Sequence, residues 1–385
     1  MRIIKNSHSG IGGIATEGAE VLKYVKYHPE HFLSLIHRDV NHLKYYNIHS
    51  PNTSTHYIIV TKEISKLFQN VRTLDDFYNK YKKEISRMEN VIDEEMPDVS
   101  FCSGSFYYPW LLLQASKNKG MPIAISYAGI VEKEETEDLY VKIGKDFINS
   151  GYLYIFPSEH AKKTLEKIHN ISLPNSHINP NGIDCAVFNN RIERSYPSDF
   201  NIAFVGRISP VKNPEYCATL ASALRKSSIT ANFLCVTDLN KLISMKDSPY
   251  YRKIADSFEK EGIKLIDFKS SEDLAEFYCS CSLIITPSHF ETFGNVPLEA
   301  IATGTPALIN KEVGVREVFN KIGLKDFILD FEDVDSVVKK IKEIKDSKLL
   351  IGKGISNKVI KDYNWSLIID RNFSILNSFL RMRKK

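Results

Sequence analysis

Short apolar runs alternate along most of the chain with longer segments of helical spacing, the pattern of parallel strands joined by crossover helices. "RIIKN" at 2–6 predicts a first strand, "SGIGG" a loop, and "ATEGAEVLKYVKY" at 15–27 a helix. "HFLSLI", "THYIIVT", "VSFCSG", "PIAISYA" and "LYIFPS" continue a first set of strands through residue 158. "INPNGIDCAVF" at 178–188 has the look of a strand end and turn, and the polar, aperiodic "NNRIERSYPSDF" after it predicts a linker. A second run follows, "NIAFVGR", "ANFLCVT", "IKLIDF", "SLIITPS" and "TPALIN", each strand separated by a helical pattern.

The fold class expected is therefore α/β, with two Rossmann-like doubly wound halves facing across a cleft. The boundaries are 1–184 for the first domain, 185–200 for the linker and 201–364 for the second domain. Such sheets bind ligands outside the carboxyl ends of their strands. The stretch 62–96 is amphipathic with mixed charge and predicts helix with one solvated face.

Composition narrows the class without naming a chemistry. At 385 residues, with 43% hydrophobic and 25% charged residues, the chain has room for roughly two to three domains and large cores. A net charge of +4 is too small and dispersed to imply nucleic acid as a partner. The Arg381–Lys385 tail suits solvent, with anionic lipid as the alternative contact. The six cysteines, at 102, 185, 217, 235, 279 and 281, lack zinc or redox spacing and read as reduced packing residues. With no signal-peptide pattern and no run of membrane-spanning length, the expected location is cytoplasmic, or peripheral at the inner face of the membrane.

Two segments carry candidate chemistry. In "FVGRISPVKNP" at 204–214, Arg207 and Lys212 leave the carboxyl end of a strand in the loop before a helix whose first turn is expected at "NPEY". A guanidinium fork and a compact ammonium there suit a diphosphate, against the alternative of two ordinary surface cations. In "HFETFGNVPLEAIATGTPA" at 289–307, Glu291 and Glu299 flank the Gly294-Asn295 turn. Gly294, Asn295 and Val296 lie at or just before a helix N-terminus, where free N–H groups and the helix dipole favour an anion. Glu299, expected in the first turn or so, is suited to a ribose diol, and Glu291 to hydroxyls beyond the phosphates. Complementing the helix dipole or capping a loop explains each acid singly, but not their pairing with Arg207 and Lys212.

"ETFGNVPLE", "GRISPVKN" and "NPNGID" resemble the E-x7-E, G-R-x(4)-K and P-N-G-[IV]-D motifs of the retaining glycosyltransferases of family 4, also described as glycosyl transferases group 1, with the GT-B fold. "YIFPSEHAKKTLEKI" and "GIGG" resemble the family in order and position, and the similarity covers nearly the whole chain. The resemblance implies an acceptor-side first domain, a nucleotide-sugar donor domain second, and final helices over 365–385 that cross back to the first. It implies that Arg207 and Lys212 bind the donor diphosphate and stabilise its growing charge. Glu299 would hold the ribose, Glu291 would orient the donor sugar, and the amides from Phe293 through Gly294 and Asn295 to Val296 would position sugar and phosphate. Gly12 and Gly13 would permit close approach of donor or acceptor from the first domain.

The same resemblance implies transfer with retention of anomeric configuration, with no cofactor and no metal. The donor expected is a UDP-sugar, then a GDP-sugar, and the acceptor a glycan, a lipid-linked sugar or another small molecule. Many relatives carry a histidine after the strand matching "PIAISYAG"; Ala128 stands there, beside Tyr127. His8, next to the Gly-rich loop, is a second candidate near the donor sugar, although a structural role is the ordinary one for a histidine so placed. "FLCVTDLN" replaces the usual G-x-G of the second domain. Two further readings stand beside transfer: a nucleotide-sugar epimerase on the same fold, and a donor-binding subunit without turnover, suggested by the absent histidine. Oligomeric state is not legible.

Overall fold

The computed structural model describes residues 1–8, 13–39, 46–59, 71–104, 107–127, 148, 153–190, 195–244, 247–267 and 270–383. They pack as two units, Met1–Pro180 with Ile368–Lys385, and Asn181–Leu367.

The first unit is built on an eight-stranded sheet in the order β3-β4-β2-β1-β5-β6-β7-β8. The strands are β1 Arg2–His8, β2 Phe32–Asp39, β3 Tyr46–Ser50, β4 Thr53–Ile59, β5 Val99–Ser103, β6 Ile123–Ser126, β7 Leu153–Phe156 and β8 Ser176–Ile178. Only the β3–β4 edge pair is antiparallel. Among the described residues the amphipathic stretch forms two helices, Leu74–Lys80 and Lys82–Glu95, that meet at Tyr81. Their apolar face, Phe77, Ile85, Met88, Val91 and Ile92, is buried in one core cluster with Trp110 and with Ile4, Cys102 and Ile125 of the sheet. Cys102, Cys217, Cys235 and Cys281 are buried. Burial pushes the Cys102 and Cys235 thiols up to about 12, which makes them poor nucleophiles.

The second unit has six parallel strands, β9 Asn201–Val205, β10 Asn232–Thr237, β11 Lys264–Asp267, β12 Leu283–Thr286, β13 Ala307–Asn310 and β14 Ile328–Leu329. Their order is β11-β10-β9-β12-β13-β14, that of a dinucleotide-binding sheet. Near-continuous apolar strands follow from covering both faces. Ile202, Phe204, Leu283, Ile285 and Leu308 pack on one side, against Leu220, Phe258 and Ile341. Ala203, Ile284, Ala307 and Ile309, the intervening positions, pack on the other, against Tyr278, Leu298, Phe319 and Val359. Each predicted strand is present. The short strands β3 and β14 were not expected, β14 because two residues show no period and β3 because it is polar, whereas the strand end expected at Ile178 is the end of β8.

The turn at 181–183 is anchored within this unit. Ile183 bridges to Asn364 and donates its N–H to the Tyr363 carbonyl at 2.8 Å. A Cβ placed on Gly182 would stand 2.7 Å from the Trp365 Cα. Backbone cannot retreat as a side chain can, so Gly182→Ala is expected to cost about 1–3 kcal/mol. A melting temperature several degrees below that of the parent chain, read by circular dichroism, is the expected result.

Candidate functional site

In the second unit the strand order reverses between β9 and β12, and the loops that leave these two strands are stitched together. The His289 N–H donates to the Val211 carbonyl at 2.8 Å, and Asn213 Nδ2 donates to the Pro287 carbonyl at 3.3 Å. After β9 the chain makes a short 3-10 turn, Pro210–Lys212, and its next α-helix starts at Tyr216. The helical start expected at Asn213 is thus displaced, because Asn213 takes a left-handed conformation, φ 52°, that closes the 3-10 turn.

This geometry brings two of the predicted residues into contact. Lys212 Nζ lies 2.8 Å from Glu291 Oε1, with the side chains 24% and 13% exposed, so a ligand can still reach them. Ser288 Oγ donates to the same Oε1 at 2.7 Å. The Glu291 backbone is fixed as well, since its N–H donates to the Glu312 carbonyl and its own carbonyl accepts from Gly314 at 3.0 Å. Arg207 is exposed and makes no ion pair with another described residue.

Gly294 begins the helix Asn295–Ala302 at φ 96°, a conformation that favours glycine. A Cβ there would meet Val313 Cγ1 at 2.8 Å and Glu291 Oε2 at 3.2 Å. Phe293, just before it, is buried, and its carbonyl accepts from Val315 at 2.7 Å. The Asn295 side chain faces the 181–182 turn, with Asn181 Nδ2 donating to its Oδ1 at 3.1 Å. The Asn295 and Val296 amides stand in the helix's first turn, whose N–H groups lack intrahelical acceptors; Pro297 has no N–H to offer.

Glu299 is the fifth residue of this helix and so lies in its second turn, later than the sequence suggested. At about 1.5 Å per residue it stands roughly 6 Å along the axis from Asn295. Tyr278, fully buried on the helix Ser271–Ser280, donates its hydroxyl to Glu299 Oε2 at 3.0 Å. Burial raises the Glu299 carboxyl from the usual 4.5 to about 7, and the Tyr278 hydrogen bond opposes that rise. Ser288 and Tyr278 escaped the sequence reading. Ser288 lies three positions before Glu291, a local spacing that could have suggested it, whereas Tyr278 reaches the site only through tertiary packing.

The candidates of the first unit are placed by backbone alone or lie in its core. His8 ends β1 and Gly13 opens the helix Gly13–Tyr27, while Gly12 and Ala128 lie outside the described residues. Tyr127 is buried, with its ring centroid 5.8 Å from that of Phe156. This sheet reverses order between β1 and β5, and a polar cluster sits there that was not anticipated. Asn6 and the Ser103 backbone exchange two hydrogen bonds, at 2.7 and 2.8 Å. The buried Lys5 ammonium pairs with Glu17 at 3.1 Å and also donates to Ser103 Oγ. Among the described residues there is no group of three or more side chains suited to a metal, and no helix long and apolar enough to cross a membrane.

Two outcomes are expected. Gly294→Ala should lower the melting temperature, because strain at positive φ adds to a contact with Val313; a cost of about 1–3 kcal/mol is typical of such strain. Glu299 holds its proton more tightly in the folded chain than an exposed glutamate does. The stability this brings is fully present below about pH 4.5 and is lost as pH rises through about 7. Glu299→Gln should therefore melt higher than the parent at pH 8, with the difference vanishing near pH 5, as read by thermal denaturation across that range.

Residues 188–361 match the family model of the glycosyl transferases group 1. The chain is 28% identical over 151 residues to the D-inositol 3-phosphate glycosyltransferase of Pseudarthrobacter chlorophenolicus, an alignment covering 37% of this chain and 36% of that one. It is 26% identical over 212 residues to the capsular polysaccharide biosynthesis glycosyltransferase CapM of Staphylococcus aureus, covering 52% of this chain and 54% of CapM. The chain thus spans about a third to a half of the length of these relatives. In fold it is similar to sucrose-phosphate synthase from Thermosynechococcus elongatus, with a TM-score of 0.75 at 14% identity over 99% of this chain and 100% of the other. It is likewise similar to Anabaena HepE in complex with UDP and glucose, with a TM-score of 0.69 at 16% identity over 98% and 100%. The match to the glycosyl transferases group 1 thus covers nearly all of the second unit, and the likeness in fold, which runs along the chain's length, is to proteins of the GT-B fold.

Proposed function

We propose that the chain is a retaining, metal-independent glycosyltransferase that moves a sugar from a nucleotide-diphosphate sugar to a hydroxyl acceptor. The observation that carries this is the meeting of Lys212 and Glu291, 2.8 Å apart, at the strand-order reversal of the second unit, where sheets of this kind bind nucleotides. Beside them lies a helix N-terminus suited to an anion, and farther along that helix stands a second carboxylate.

In this proposal residues 201–364 form the donor domain. Arg207 and Lys212 take the diphosphate, Glu299 accepts from the ribose hydroxyls, and Glu291 orients the donor sugar while holding the Lys212 ammonium in place. The backbone from Phe293 to Val296 positions sugar and phosphate. His8, Gly12, Gly13 and Tyr127 remain the candidates contributed by the first unit, which carries the acceptor. His8 and Gly13 stand at the carboxyl end of β1, the end at which such sheets bind ligands.

As the glycosidic bond breaks, charge grows on the leaving diphosphate, and fixed cations stabilise that charge more than they stabilise the bound donor. The acceptor hydroxyl attacks from the face the diphosphate leaves, and a phosphate oxygen takes its proton. The products are the glycosylated acceptor and the nucleoside diphosphate. UDP in the complex of a protein of the same fold supports a UDP-sugar donor ahead of a GDP-sugar. The partial match to CapM supports a glycan, lipid-linked or cell-surface precursor as acceptor.

Each charge-assisted contact is worth about 1.5–3 kcal/mol, so losing one should slow transfer by about 10- to 100-fold. Lys212→Ala and Glu291→Ala are expected to lower turnover chiefly, and Glu299→Ala to weaken donor binding. The test is a metal-free thermal-shift screen against UDP-, GDP-, ADP- and TDP-sugars, repeated on Arg207→Ala. A shift with one nucleotide that disappears in the variant supports the proposal. No shift with any of them overturns the donor site, and turnover of the donor to an epimer without acceptor overturns transfer.

A further inference from the structure

Tyr278 is placed as no packing residue needs to be. It is among the largest fully buried side chains of the chain, and its ring lies 5.9 Å from that of Phe188. Its backbone carbonyl accepts from Thr305 Oγ1 at 2.8 Å, which ties its helix to the segment before β13. Within this apolar setting its hydroxyl points at one acceptor, Glu299 Oε2, at 3.0 Å. A phenylalanine would fill the same volume; the hydroxyl costs desolvation and is retained only with a partner.

We propose that Tyr278 is a positioning residue of the donor site, holding the Glu299 carboxylate in one orientation and favouring its ionised form so that it can receive the ribose hydroxyls. The inference rests on the donor-site reading above. A carboxylate has two oxygens and a diol two donors, so a rotation of the group by one rotamer loses both contacts. Committing Oε2 to Tyr278 fixes the carboxylate plane and leaves Oε1, with the remaining lone pair of Oε2, for the ligand. The tyrosine itself stays protonated at every working pH, since burial and the adjacent carboxylate raise its hydroxyl far above the usual range.

Burial and the Tyr278 hydroxyl are the two influences that set the Glu299 midpoint, one raising it and the other lowering it. The helices packed on this one carry charged residues, Glu272, Asp273 and Glu276 on the helix Ser271–Ser280 and Lys353, Lys358, Lys361 and Asp362 on the helix Lys353–Asp362, alongside uncharged groups. The helix Lys353–Asp362 contributes Ser356, whose Oγ donates to the Ile301 carbonyl, and the buried Val359. Strands β12 and β13 end in Thr286 and Asn310, and Thr303 and Thr305 follow the helix. Removing the Tyr278 hydroxyl therefore takes away the group that keeps the carboxylate ionised near neutral pH.

The experiment measures the affinity of the parent, Tyr278→Phe and Glu299→Gln by calorimetry between pH 5.5 and 8.5. The probe is whichever of UDP-glucose, GDP-mannose or ADP-glucose binds the parent; as diphosphate diesters they keep their charge over that range. Parent affinity is expected to rise with pH through about 7. In Tyr278→Phe the rise should move to higher pH, with binding at pH 7 weaker by roughly three- to ten-fold. A Tyr278→Phe curve with the parent midpoint, beside a Glu299→Gln chain that binds poorly at every pH, overturns the positioning role and leaves the donor site standing. Parent-like binding by Glu299→Gln, or binding of none of the three sugars, overturns the donor-site reading and this inference with it. Should Tyr278→Phe fold poorly, the Glu299 midpoint is read instead from the carboxyl carbon resonance of Tyr278→Met, which is smaller and carries no hydroxyl. An unshifted midpoint there overturns the inference.

Discussion

The contact between Lys212 and Glu291 depends on a backbone arrangement that exists for another reason. Parallel strands β9 and β12 are neighbours in space but far apart in sequence, and their loops leave the same edge of the sheet. The hydrogen bonds from His289 to Val211 and from Asn213 to Pro287 hold the two loops together before any side-chain charge is considered. An ammonium and a carboxylate delivered to that edge neutralise each other, which lowers the cost of keeping both partly out of water. In the proposed role a diphosphate replaces part of that pairing, with Lys212 already aimed and the carboxylate already oriented by Ser288.

Glu299 shows the opposite economy. Its side chain is partly buried, and desolvation lifts its carboxyl to about 7, so that it stands between its two forms near neutral pH. A desolvated carboxylate weakens the unliganded fold, and natural chains keep such groups where a ligand repays the cost. Tyr278 offsets part of it with one hydrogen bond from the core. The two acids of the motif therefore differ in character although they share one segment. Glu291 is ion-paired at the rim, and Glu299 depends on a neutral donor from below.

The first unit repeats the topological device with different chemistry. At its own strand-order reversal a buried lysine is balanced by Glu17 within the domain, and Asn6 ties β1 to the end of β5. An ammonium so enclosed stiffens the carboxyl edge of the sheet and leaves no free positive charge for a ligand to use. The second unit, by contrast, leaves Arg207 exposed at the corresponding edge.

Periodicity in the chain was enough to determine the central strands of both sheets, because strands covered on both faces must be apolar throughout. The motif spacing was enough to name Arg207, Lys212, Glu291, Gly294 and Glu299 as candidates, of which the fold brings Lys212 and Glu291 into contact. It could not give β3 and β14, whose pairing with an existing edge stabilises segments too short or too polar to announce themselves. Nor could it separate the two glutamates, since a carboxyl's ionisation is set by what surrounds it and not by its neighbours in sequence. Tyr278 and the Lys5–Glu17 pair became visible only when strands and helices separated in the chain were brought within about 3 Å, the range in which hydrogen bonds act.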